Sequence, residues 1–146
     1  MKRFVSCLCL ILVCSMILVV PAMAAENGNH RASDYFMSYS AYFDHAYGNQ
    51  YEIWFSVTAL RQMDELGVKT IRLKQSSDEV NWTTIATYSK DNYSQMVNKS
   101  GTVIHGGYVP CTCTSGYYYM AEIELYAKDG NSTATMTVWT TNLDLT

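Results

Sequence analysis

Two cysteines one residue apart, Cys111 and Cys113, are the sharpest chemical feature of this sequence. On an extended segment, residues i and i+2 point to the same side, so the sulfurs can meet. Three chemistries stay open to them: a local disulfide, two free thiols, or bridges to a second chain. A ring closed over a single intervening residue is strained and so more easily reduced. Zinc wants about four ligands, and His105 is the only histidine near the pair in sequence. A Cys–His nucleophile built from Cys111 and His105 would also need an orienting third group and an oxyanion hole. Neither can be read here, so no catalytic residue, metal ligand or cofactor site is assigned.

The remaining polar clusters are weaker. His30, His45 and His105 are scattered, with no spacing that implies shared ligation. Asp78 with Glu79, and Asp129 with Asn131, offer oxygens to calcium, but calcium wants six or more and neither cluster supplies them. Glu122 and Glu124 share one strand face about 7 Å apart, as paired glycosidase carboxylates would. Nothing in the sequence builds a cleft around them, so a solvated face is expected. Asn81, Asn92, Asn98 and Asn131 each begin an N-x-S/T triplet, a glycosylation acceptor only in a eukaryotic secretory protein.

A contact surface is the more promising kind of site. With Ile123 and Leu125 facing inward, Tyr118, Met120 and Tyr126 face outward. A candidate aromatic patch of Tyr118, Met120 and Trp139 follows, able to stack on a sugar ring or grip a protein. Ordinary cross-strand packing is its bland counterpart.

These residues need strands to position them. Tyr51, Ile53, Phe55, Val57 and Ala59 alternate with Glu52, Trp54, Ser56 and Thr58, which is the period of a strand. A first strand is expected over residues 39–43, with others over 68–75, 82–88 and 102–108. Leu60, Met63 and Leu66, three apart and stopped by Gly67, suggest one short helical turn. Residues 89–100 read as a loop. The last pair alternates over residues 118–127 and 134–139 about the turn signal Lys128-Asp129-Gly130-Asn131. A four-residue turn would set Leu125 opposite Ala134, Ile123 opposite Met136, Ala121 opposite Val138 and Met120 opposite Trp139. About seven strands, with a turn signal every ten residues or so, indicate an all-β, antiparallel two-sheet sandwich of immunoglobulin or fibronectin-III type. No helical pattern is long enough for a parallel crossover.

The N-terminus differs in composition from the rest. Lys2 and Arg3 precede an apolar run from Phe4 to Val20, and Ala22-Met23-Ala24 supplies small residues where a signal peptidase reads. We divide the chain into a signal peptide (1–24), a flexible leader (25–33) and a single sandwich domain (34–146). Pro21 and the cleavage motif favour a cleaved signal over a spanning anchor. Val13 before Cys14 disfavours lipid attachment, so no stable membrane anchor is expected after cleavage. Two of the ten basic residues leave with the signal, so eight face thirteen acidic ones and the net charge is −5. That balance argues against nucleic acid and against attachment to anionic lipid. Twelve Tyr and three Trp in a modestly charged chain exclude intrinsic disorder.

Arg31-Ala32-Ser33-Asp34-Tyr35 with the run Ser38–Tyr42, the block 53–88 and the stretch 117–130 resemble an uncharacterised family of small secreted proteins of anaerobic Gram-positive bacteria. The resemblance implies an extracellular setting and a β-sandwich, and it brings no activity or site residues. Residues 75–83 (QSSDEVNWT) also look like hairpins of discoidin-type and sialidase-repeat modules, where Asp and Ser close a turn over a Trp; the glycine usual after the aspartate is missing. The expectation is a secreted, non-enzymatic binding or interaction module for an extracellular glycan or protein. Its alternatives are a hydrolase whose site forms only in three dimensions, and a self-associating structural protein.

Overall fold

The computed structural model describes residues 32–146; the expected signal (1–24) and residues 25–31 of the expected leader lie outside them. Ala32–Asp34 form a single 3-10 turn, and nine strands follow. They are β1 (Phe36–Tyr47), β2 (Gln50–Met63), β3 (Glu65–Ser76), β4 (Thr83–Ser89), β5 (Val97–Asn98), β6 (Thr102–Thr112), β7 (Tyr118–Asp129), β8 (Ser132–Trp139) and β9 (Leu143–Asp144). Two antiparallel sheets pack face to face as an all-β sandwich. One runs β1-β2-β6, the other β4-β3-β7-β8, with β5 on β3 and β9 on β7. The two short strands β5 and β9 account for the excess over the seven expected from alternation.

The period-two pattern sorts the core as it should. Ile53, Phe55, Val57 and Ala59 of β2 meet Leu66, Val68, Ile71 and Leu73 of β3 and Ala121, Ile123, Leu125 and Ala127 of β7, all buried. The inward parity of β3 changes between Val68 and Ile71, where the β3–β7 register slips by one residue. A bulge of this kind returns the next apolar pair to the core.

Two local expectations are corrected. Leu60–Gly67 is not a helical turn: β2 runs on to Met63, and Asp64 alone links it to β3. Met63 and Leu66 are fully buried, whereas Leu60 is exposed; the three-residue spacing marks where one strand hands over to the next. The 118–139 hairpin turns on two residues, not four. Asp129 pairs Ser132, so Ala127 faces Ala134, Leu125 faces Met136 and Ile123 faces Val138. Gly130 takes φ +57°, which suits the first position of a two-residue hairpin loop. The shift of two residues keeps every side chain on its expected face and moves each partner by one rung.

The expected loop 89–100 holds a 3-10 turn, Ser94–Met96, that leads into β5. Gly67 makes this possible. A Cβ built there would stand 2.1 Å from the Met96 carbonyl oxygen and 3.0 Å from the His105 ring, at φ +154°.

Candidate functional site

The expected pairing of Met120 with Trp139 does not occur. Because the turn is shorter, Trp139 pairs with Glu122, while Met120 pairs with Lys74 and Tyr118 with Ser76 and Asp144. Tyr126, expected outward, is buried, with the Lys90 ammonium 5.0 Å from its ring centroid. The outer face of this sheet carries charge instead. Glu122 binds Arg72 (2.7 Å) and Lys74 (2.5 Å), and Lys69 binds Glu124 (3.1 Å). Glu122 and Glu124 are therefore ion-pair partners in a charged ladder on this face.

The aromatic surface lies on the other sheet. Tyr42, Trp54 and Tyr108 stand opposite one another on β1, β2 and β6, on the face turned away from the core. Tyr42 and Trp54 are stacked at 6.5 Å with an interplanar angle of 5°; Trp54 and Tyr108 are 4.8 Å apart at 31°. The unequal spacing follows from the ladder. Cys113 N–H donates to Asn49 O (2.9 Å), so the hydrogen-bonded pairs between β2 and β6 use odd-numbered residues of both strands. Trp54 and Tyr108 are then a non-hydrogen-bonded pair, whose side chains approach more closely. Pro110 occupies an even, outward-facing backbone position of β6, where its missing N–H costs no ladder bond. Tyr42 is 48% and Tyr108 43% exposed. Trp54 is anchored by donating Nε1–H to Glu52 Oε2 at 2.9 Å.

The rows on either side complete the surface. Asp44, Glu52 and Pro110 align on one side, and Ser40, Ser56 and Gly106 on the other. Beyond Tyr108 lies a hollow of about 490 Å³, lined by Tyr93, Gln95, His105, Gly106, Gly107, Tyr108 and Pro110. Trp54 was legible as an outward residue of the clearest strand. Its partners were not, because sequence does not state that β1 and β6 flank β2.

Cys111 and Cys113 point together into the core, as alternation requires. Both are free and buried, with the sulfurs 4.0 Å apart. The neighbouring Cys113 thiol and burial push the Cys111 thiol up. Burial, with Cys111, Tyr93 and Cys113 nearby, also pushes the Tyr88 hydroxyl up to about 12. Next to the thiols, Tyr119 pins the loop after β6: its hydroxyl accepts from Thr114 N–H (2.8 Å) and Gln75 Nε2 (2.9 Å) and donates to Thr114 O (3.1 Å).

His30 lies outside the described residues. His45 Nε2 meets Gly48 O, and His105 Nε2 meets Gln95 O at 2.9 Å, so each serves a local turn. Asp78 closes the β3–β4 loop, accepting from Ser76 Oγ and from the backbone N–H groups of Val80 and Asn81. Asp129 pairs with Arg61. No cluster of three or more metal-ligating side chains occurs among the described residues.

These bonds predict the acid limb of stability. The Asn81 backbone N–H holds the Asp78 carboxyl well below the usual range, and the Lys74 ammonium, with Arg72, lowers that of Glu122. A carboxyl lowered by folding stabilises the native state above its unfolded pKa of about 4 and loses that contribution as pH falls further. The urea midpoint should therefore be nearly flat from about pH 7 to 5 and drop below about pH 4. In Glu122→Gln the drop should be shallower; an unchanged acid limb would contradict the assignment.

No protein-family model matches the chain, and no curated protein matches it either.

Proposed function

We propose that this chain is a secreted, non-enzymatic binding module that engages its ligand on the outer face of β1-β2-β6. The observation that carries this reading is the Tyr42–Trp54–Tyr108 row: three neighbouring rings, two of them stacked with nearly parallel planes, on a solvated sheet. With centroids 6.5 and 4.8 Å apart, the three rings form a row across three strands. That suits the apolar faces of successive sugar units better than a single small molecule. The serine-lined row beside it leaves room for a ring's width and offers hydroxyls to it. The hollow beyond Tyr108 contains no carboxylate, which favours binding over hydrolysis.

The strand order supports an immunoglobulin or fibronectin-III subtype. Three strands β1-β2-β6 face four strands β4-β3-β7-β8, and the chain changes sheet at β2–β3, β5–β6 and β6–β7. The extracellular setting rests on the composition of residues 1–24 and on the resemblance to small secreted bacterial proteins.

Screening wild type, Trp54→Ala and Trp139→Ala on immobilised glycans tests this reading. Removing Trp54 should weaken binding about tenfold or more, while Trp139→Ala binds as wild type does. Equal binding by all three proteins, or loss through Trp139 alone, would overturn it.

A further inference from the structure

The aromatic row is the platform; the carboxylates beside it decide the charge of what sits there. Asp44 and Glu52 are direct cross-strand partners, and like charges placed opposite one another destabilise a ladder. Neither belongs to any of the ion pairs among the described residues, which use Asp129, Glu124, Glu122 and Glu65. Arg61 is the only basic residue in β1, β2 and β6 apart from histidine, and it is engaged with Asp129. Glu52 is half-buried and spends one oxygen on the Trp54 indole. The sheet thus places two carboxylates that enter no ion pair in the row next to the three rings, and ring faces themselves attract cations.

Building on the proposed platform, we infer that its ligand is a glycan bearing protonated amines, an amino-sugar oligomer. Its ring stacks on Tyr42, Trp54 and Tyr108, and its ammonium group reaches the Asp44–Glu52 row. Anionic glycans are repelled by the same row and by the acidic net charge of the chain.

The test is calorimetric titration with two probes, a β-1,4-linked N-acetylglucosamine tetramer and its fully de-N-acetylated counterpart. Titrations are run at about pH 6, where the free amine is protonated. The amine form should bind about fivefold tighter to wild type. The preference should vanish in about 1 M salt and shrink at least twofold in Asp44→Asn, which leaves the Glu52–Trp54 bond in place and so the affinity for the neutral tetramer unchanged. Trp54→Ala should lose both probes. Equal or tighter binding of the neutral tetramer, still lost in Trp54→Ala, overturns the charge assignment and leaves the platform standing. Binding of neither probe, or equally tight binding of a lysine tetrapeptide, overturns the amino-sugar assignment. Binding that ignores Trp54 overturns the platform as well.

Discussion

Gly67→Ala should lower the stability of this domain by about 3 kcal/mol, which for a chain of this size is a fall of roughly 10 °C in unfolding midpoint. The added Cβ would fall 2.1 Å from the Met96 carbonyl oxygen and 2.9 Å from Val97 Cα. Both are backbone atoms of the segment that pairs with β3 at Gly67, so no side chain can rotate out of the way. The segment would lift, taking Met96 out of the core and loosening the His105–Gln95 contact beside the hollow. Gly130→Ala is the control. Gly130 also has positive φ, +57°, yet nothing lies within 4 Å of a Cβ there, so the cost is conformational strain alone, about 1 kcal/mol. Differential scanning calorimetry of the two variants separates close approach from backbone preference. Equal effects would mean that β5 does not lie against Gly67 as described.

Tyr119→Phe should make the buried thiols reactive. The Tyr119 hydroxyl is the one group tying Thr114 N–H and Thr114 O to Gln75, and Thr114 adjoins Cys113. Deleting it leaves those groups without their partner, a loss of about 1–3 kcal/mol in holding the loop. Reaction of a buried thiol proceeds through local opening, so labelling of Cys113 by a disulfide reagent should speed up about fivefold to a hundredfold. Global unfolding in urea should move much less than labelling does. Unchanged labelling kinetics would show that the thiols open by another route. Burial of both cysteines also bears on the three chemistries left open by the sequence: reaction with a second chain requires this loop to move first.

The architecture was legible wherever one face of a strand is apolar and the other is not. In β2 and β7 the alternation specifies which residues enter the core, because a one-residue slip would expose them all. The same argument cannot distinguish slips of two, since these preserve the faces. That is why the partners of Trp139 and Met120 were misplaced by one rung. Leu60, Met63 and Leu66 misled for a different reason. Strand handover through a single residue produces a three-residue apolar spacing that imitates a helical turn. The aromatic row was hidden more deeply still. Tyr42 and Tyr108 are 66 positions apart and meet only because each flanks Trp54, a fact of strand order and not of any local pattern. Cys111 and Cys113, by contrast, were read as same-sided from spacing alone, and they are.

Pro110 sits on the open margin of β6 with no hydrogen to offer outward. Of the backbone units turned away from β2 there, Ile104 is already engaged with the Thr102 hydroxyl at both its N–H and its C=O. Only Gly106 and Tyr108 remain between it and the proline. An incoming strand can zip along two residues and no further, a nucleus too short to propagate. Along this margin of β6, then, strand addition has almost nothing to build on, and the row of rings on the adjoining face is not extended across that edge.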